Sequence, residues 1–170
     1  MKRAFLFSCF TGLRYSDMKS LLWSEVHTAA DGKTLYIDHR QVKTKKTVTI
    51  PLSDEALRWM PKQVEGIDQV FHELKASVNT VEAVLKEWMK DCEIDKHITY
   101  HCSRHTAATT LLTLGANLYV VSKLLGHSSI QMTEVYAKIV DQKKVETMNL
   151  VNNLFNNPAA NSKPQNANAI

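Results

Sequence analysis

The chain has 170 residues, of which 44% are hydrophobic and 22% charged, with 21 Lys and Arg against 17 Asp and Glu. That length and balance suit one ordinary globular domain with a real core, and no apolar run approaches the ~20 residues that a membrane span needs. The net charge of +4 permits a polyanionic partner without demanding one.

The start, MKRAFLFSCFTGLR, is basic and then apolar, as a signal peptide is. The apolar run is short and broken, and no small-residue cleavage site follows, so it reads as the first helix. That helix covers about Arg3 to Phe10 and stops at Gly12. Ser16 or Asp17 is placed to cap a second short helix running through Leu22. Strands are expected at Thr34–Arg40 and Thr47–Leu52, where β-branched residues alternate in character, with the basic turn QVKTKK between them. Asp31-Gly32 marks a tight turn before them, which predicts a third strand near Val26.

Beyond Pro51 the pattern turns helical. Ser53 caps a short helix, and a longer one is expected from Asn79, with Val81, Val84, Leu85, Trp88 and Met89 on one buried face. A helix from about Arg104 to Leu114 stops at Gly115. Asn117 caps the next, with Val120, Val121, Leu124 and Leu125 inward and Gly126 ending it. Ser128 or Ser129 caps the helix that carries Tyr136, and Asp141 opens a last amphipathic helix with Val145, Met148, Val151 and Phe155 in register. The stretch after residue 157 has almost no apolar content and is expected to be a disordered tail, 158–170. The chain opens within about one turn of a helix, as a fragment lacking a leading domain would. The cysteines, Cys9, Cys92 and Cys102, form no CxxC pair and read as free thiols of a reducing compartment.

Four clusters carry residues suited to chemistry. They are TGLRYSD with Arg14 and Asp17, the turn QVKTKK with Lys43, Lys45 and Lys46, HCSRHT with His101, Arg104 and His105, and LLGHSSIQMTEVYAKI with His127 and Tyr136. Cleaving a phosphodiester without metal needs a nucleophile held in line and cationic donors for the non-bridging oxygens. It also needs an acid for the leaving alkoxide. Arginine's planar fork suits the oxygens, and lysine or histidine suits the acid. A covalent intermediate conserves the bond, so a cut strand can be rejoined without ATP. Two Arg, two His, one Lys and one Tyr make a complete set. No GxxxxGK[ST] loop or two-metal carboxylate cluster is present. His101 and His105 have the i, i+4 spacing of half a metal site, but no HExxH glutamate or third ligand accompanies them.

These blocks resemble the tyrosine recombinase family, or phage-type integrases. TGLR, the VKT before VTIPL, HCSR, LLGH and TEVYAKI match that family's arginine, lysine, His-x-x-Arg, histidine and tyrosine motifs in order, from about Ala4 to Ile139. The resemblance implies a mainly α fold with a small antiparallel β-sheet, an α+β catalytic core over 1–157, normally paired with an N-terminal core-binding domain. It implies Tyr136 as nucleophile, Arg14 and Arg104 on the phosphate oxygens and Lys43 as the acid. His101 would assist the tyrosine's proton and His127 would hydrogen-bond the phosphate. Asp17 and His105 would stand behind them, His105 as a buried hydrogen-bonding group. No metal or nucleotide cofactor is implied. The implied partners are a double-stranded DNA site and a homotetramer on that DNA, in a bacterial cytoplasm with no membrane. The wording of the blocks resembles integrases of phages and conjugative transposons. A type IB topoisomerase-like enzyme and a non-catalytic DNA-binding module are the alternatives. In the resembled family the segment after the tyrosine often packs on a neighbouring protomer, so the face Val145, Met148, Val151 and Phe155 is expected to dock on the same or the next subunit.

Overall fold

Ten residues from Lys2 form helix α1 (Lys2–Thr11), and Gly12 ends it in the left-handed conformation at φ 71°, its N–H returning to the Ser8 carbonyl at 2.8 Å. The protein, here a computed structural model that describes residues 1–156, continues with α2 (Tyr15–Ser20), a single 3₁₀ turn (Trp23–Glu25), β1 (Val26–Thr28), β2 (Leu35–Arg40) and β3 (Thr47–Pro51). Helices α3 (Asp54–Trp59), α4 (Val78–Asp91), α5 (His101–Thr113), α6 (Leu118–Leu125) and α7 (Gln131–Asn156) follow. The expected tail, 158–170, lies outside the described residues.

The architecture is mainly helical with one three-stranded antiparallel sheet in the order β1-β2-β3, as expected. Val26 pairs with Ile37, and Ile37 with Ile50. Period-two alternation sends Ile37, His39 and Gln41 inward from β2 and its end, and Val48, Ile50 and Leu52 inward from β3 and its end. The larger core gathers Phe7, Leu13, Met18, Leu21, Ile37, Val70, Val81 and Leu85. Tyr100 joins it edge-on to Phe5 and Tyr15, at 5.8 and 5.0 Å between ring centres. Helices α1 and α5 lie together, tied by the Ser8 and Ser103 hydroxyls at 2.8 Å and by the Tyr100 hydroxyl donating to the Ala4 carbonyl at 3.0 Å. A smaller core of Ala108, Val121, Leu125 and Tyr136 joins α5, α6 and α7.

Several boundaries differ from the pattern-based expectations. Arg14, not Ser16 or Asp17, sits at the N-cap of α2, because Asp17 is fully buried and bonds across to the hairpin instead. Ser77 caps α4 through the Thr80 N–H, two residues ahead of the expected start at Asn79. Helix α5 begins at His101 rather than Arg104, so both histidines and the arginine share its first turns. Ser53 and Asn117 do cap α3 and α6. Val84 and Val120 face solvent although apolar spacing predicts them inward. Their helices are covered on one narrow side only. The break at Asp141 does not exist: α7 runs unbroken from Gln131 to Asn156. An acidic residue in a helix interior costs only a few tenths of a kcal/mol, too little to end one. Val145 and Met148 are 61% and 60% exposed on it, so among the described residues they do not dock on the same subunit; the side chains of Val151 and Phe155 lie outside the described residues.

Gly12 and Gly32 share left-handed backbone angles, φ 71° and 66°, but not surroundings. A Cβ on Gly32 meets open space, whereas one on Gly12 drives into the Leu125 side chain, itself buried. Gly32→Ala is therefore expected to cost about 1 kcal/mol, the left-handed strain alone. Gly12→Ala is expected to cost about 2–4 kcal/mol, strain plus overpacking. Urea unfolding of the two variants measures the difference.

Candidate active site

Arg104 lies on the inward face of α5, 1% exposed. Its Nη1 donates to the Gly12 carbonyl at 2.7 Å and its Nη2 to the Leu125 carbonyl at 2.6 Å. Both acceptors stand at helix C-termini, where carbonyls lack intrahelical partners and the dipole favours a cation. The guanidinium thus bolts the ends of α1 and α6 together beneath the smaller core. Burial first, and then the nearby charge of Arg14, pull its pKa down to about 10, which leaves it charged at neutral pH.

Arg14 follows the Gly12 turn. Its Nη1 is buried and lies 3.8 Å from Asp17 Oδ2, too far for a hydrogen bond, so among the described residues this donor has no hydrogen-bond partner. Asp17 faces three ways. Its Oδ1 accepts from the Val42 N–H at 2.8 Å, His39 Nε2 stands 3.8 Å from the same oxygen, and Arg14 flanks the other oxygen. Burial alone would raise the Asp17 pKa. The neighbouring His39, the Val42 N–H and the Arg14 charge outweigh it and hold the carboxyl below its usual range. His39 in turn meets Glu25 at 3.0 Å through Nδ1. The Asp17 and Glu25 carboxylates overcome the effect of its burial and raise its pKa.

Tyr136 projects from the second turn of α7 and is only 5% exposed. Its ring lies parallel to that of His127, 6.4 Å between centres with 6° between planes, and tilted against His105 at 5.3 Å. His105 stacks edge-on to His101 at 4.6 Å. The expectation of a buried, hydrogen-bonding His105 is therefore wrong. The residue is exposed and touches its neighbours as a ring, because i, i+4 spacing on α5 sets it beside His101 at the helix edge. His127 follows the left-handed Gly126 that ends α6, and its Nδ1 bonds the fully buried Thr133 hydroxyl at 2.7 Å. Lys43 is exposed in the loop between β2 and β3, near enough for its charge to act on His101. Lys45 and Lys46 are exposed in the same loop, Lys45 in left-handed backbone at φ 58°.

The fold therefore collects Arg14, Lys43, His101, Arg104, His127 and Tyr136 from five separate segments. Burial, then the cations around it, lower the pKa of both histidines, His127 to about 4, with Arg104 foremost among the cations there and His105 foremost at His101. Burial raises the pKa of Tyr136, while Arg104 and Arg14 pull it back. Both arginines thus act on the phenol oxygen's charge. No group of three or more His, Cys, Asp or Glu side chains suited to a metal ion is present among the described residues.

Residues 1–143 match the sequence profile of the Phage integrase family. The chain belongs to the phage integrase family. A tyrosine recombinase of Pseudothermotoga lettingae is 31% identical over 146 residues, covering 82% of this chain and 50% of that protein. The catalytic domain of bacteriophage HP1 integrase superposes with a TM-score of 0.60 at 26% identity, over 94% of this chain and 83% of that domain. The XerH site-specific recombinase, solved bound to a palindromic difH substrate in a post-cleavage complex, shares the fold with a TM-score of 0.66 at 18% identity. That match covers 86% of this chain and 44% of XerH. The chain spans about half the length of the curated tyrosine recombinases it matches.

Four residues of this integrase-family site escape motif reading: Glu25, His39, Gln41 and Thr133. A signal for two of them exists in β2 and the residue just past it, where alternation places His39 and then Gln41 on the same inward face as Ile37. Polar residues at apolar positions of a strand need partners and hence mark a network.

The lowered histidine pKa sets a pH dependence of stability. His127 binds its proton near pH 4 when folded and near 6.5 when unfolded, so between those values the unfolded chain holds more protons. Stability is expected to fall as pH drops from 6.5 to 4, and His101 adds to it in the same direction. His127→Gln should flatten this slope in urea unfolding at pH 7, 5.5 and 4.5; an unchanged slope would contradict the burial of the neutral ring.

Proposed function

We propose that this chain is the catalytic domain of a site-specific DNA recombinase that cuts and rejoins DNA through a 3′-phosphotyrosyl intermediate. The observation that carries the reading is the convergence on Tyr136. A nearly buried phenol lies in ring contact with two histidines and within the field of two arginines, one of which has a buried donor without a hydrogen-bond partner. A structural tyrosine of a core needs none of this. An anionic ligand would supply the partner that Arg14 Nη1 lacks among the described residues.

In the proposed reaction the Tyr136 oxygen forms a bond to the scissile phosphorus as the bond to the 5′ oxygen breaks. Tyr136 needs a base, since burial keeps its proton on. His101, held neutral by burial and the surrounding positive charge, takes that proton. Lys43 donates a proton to the departing 5′ oxygen. Arg14 and Arg104 face the non-bridging oxygens, where charge grows in the transition state. His127 Nδ1 is 2.7 Å from the Thr133 hydroxyl, and the proposed tautomer has Nδ1 accept from it, so that the neutral ring donates its Nε2 proton to the phosphate. Asp17 holds Arg14 on one side and the Lys43 loop on the other. One phosphodiester replaces another, so the reverse reaction rejoins the strand with no nucleotide and no metal.

The substrate is a double-stranded DNA site, by analogy with the DNA-bound XerH relative. A phage or conjugative-transposon-type element in a bacterial cytoplasm is the proposed source, in keeping with the HP1 likeness. No helix among the described residues is long and apolar enough to cross a membrane. On DNA a homotetramer is proposed, with a separate core-binding domain completing the clamp.

Covalent trapping tests the chemistry. Incubated without metal with nicked duplexes whose cleavage cannot reverse, the wild type should carry DNA label through a denaturing gel. Tyr136→Phe should carry none. Label on both, or DNA binding without label on either, sinks the tyrosyl mechanism.

The exposed apolar pair on α7 supplies the proposed contact with the next protomer. Val145→Asp with Met148→Asp should leave single-site cleavage intact and reduce strand exchange between two sites by about tenfold or more, the scale of a lost apolar contact pair. Equal exchange by variant and wild type would assign this face no role in assembly.

A further inference from the structure

Lys43 is exposed and makes no hydrogen bond of its own among the described residues, yet an acid must stand at a fixed place. The residues on either side of it are fixed instead. The Val42 N–H is held by Asp17, and the Thr44 hydroxyl donates to Gln41 Oε1 at 2.7 Å. Gln41 also closes the base of the loop, its N–H reaching the Lys46 carbonyl and its own carbonyl accepting from Lys45, both at 2.9 Å.

The other end of the Gln41 side chain leaves the loop altogether. The residue is 1% exposed, and its Nε2 donates to the Leu125 carbonyl at 2.9 Å, 84 positions along the chain. That carbonyl is the one that also accepts from Arg104 Nη2. The next residue, Gly126, has no side chain where one would collide: a Cβ there would lie 2.5 to 2.7 Å from the Gln41 amide atoms. His127 comes immediately after. One amide therefore joins the lysine loop, the buried arginine and the start of the histidine turn.

We propose that Gln41 is a positioning residue that sets where Lys43 stands relative to Arg104 and His127. The proposal rests on the reading of Lys43 as the acid that protonates the leaving oxygen. The loop itself is a surface turn joined to the rest of the sheet only by β2 and β3. Without the Gln41 bridge, the bonds left to it are those within the hairpin and the one from Val42 to Asp17, on one flank of the lysine. With the bridge, both flanks are tied to elements that carry the other catalytic groups.

A sulfur-bridged leaving group separates this role from simple structural damage. A thiolate leaves without a proton, so a defect in the acid vanishes when sulfur replaces the scissile 5′ oxygen, whereas a defect in folding or phosphate binding persists. The probes are duplexes that the whole wild-type chain captures covalently from a pool of randomised half-sites, made in oxygen and sulfur forms. Gln41→Met keeps the volume and removes both hydrogen bonds. It should cleave the oxygen form about 10²-fold more slowly, the scale of an ångström's misplacement, and the sulfur form at nearly the wild-type rate, as Lys43→Ala should. Equal slowing on both forms, or no slowing on oxygen, overturns the proposal. Failure of the sulfur form to rescue Lys43→Ala is a different result, since it removes the acid role on which the proposal stands.

A second measurement needs no DNA. Lys43 is among the groups that lower the His101 pKa, with His105, Arg104 and Arg14, so displacing its charge is read at His101. In NMR titrations the His101 midpoint should rise in Lys43→Ala and rise in the same direction in Gln41→Met. The double variant should match Lys43→Ala alone. A midpoint unmoved by Gln41→Met, where Lys43→Ala moves it, overturns the proposal as well.

Discussion

A single buried guanidinium holds the site's framework together. Arg104 satisfies two helix-terminal carbonyls that the chain leaves without partners, at Gly12 and at Leu125. Each acceptor lies within two residues of another candidate catalytic group, Arg14 after the first and His127 after the second. The positions of those groups relative to one another follow from one residue's bonding. Leaving that guanidinium buried and unpaired would be costly, so the two turns and the helix that carries it are stable only in combination. The glycines at both junctions make this possible. Gly12 lets Leu125 pack against its backbone, and Gly126 leaves space for Gln41.

The two arginines are not equivalent. Arg104 is buried with two of its nitrogens on protein carbonyls, whereas Arg14 keeps a buried nitrogen without a hydrogen-bond partner among the described residues and faces a carboxylate at ion-pair distance. The Asp17–His39–Glu25 chain behind Arg14 keeps that carboxylate ionised and located. Neutral histidines complete the picture. With several cations nearby, a charged His101 or His127 would add repulsion inside a half-buried site, and the lowered pKa values avoid it.

Much of this was legible in the sequence, for identifiable reasons. Six polar residues in the motif blocks could be singled out as candidates, and three of those blocks sit at element ends: TGLR spans a helix stop, HCSR opens a helix, and LLGH closes one. The helix stops at Gly12 and Gly126 and the Ser53 and Asn117 caps were readable because their backbone requirements are local. What was not readable is long-range. Asp17 appeared to be a cap because nothing nearby in sequence indicates that Val42, 25 residues on, takes its oxygen. His39 lies within β2 and Gln41 just past its end, where the alternation shows which way they point but not what they meet. His105 was misplaced because burial at the edge of a helix depends on what packs there, and here only rings do. The unbroken α7 was missed because Asp141 resembles an N-cap in pattern, while a helix already under way has no need of one.

The continuity of α7 has a mechanical consequence. Tyr136 stands near the N-terminal end of a rod that extends twenty further residues to Asn156, about 30 Å at 1.5 Å per residue. Near its start Tyr136 joins the small core and Val140 is buried too, while Val145 and Met148 beyond them are exposed. Such an element acts as a lever with its fulcrum at Tyr136. A few degrees of tilt imposed on the free arm rotates the phenol about that fulcrum, whereas a hinge at Asp141 would have absorbed the motion before it reached the oxygen. Whatever grips the outer half of the helix therefore has a direct mechanical hold on the alignment of Tyr136, the proposed nucleophile.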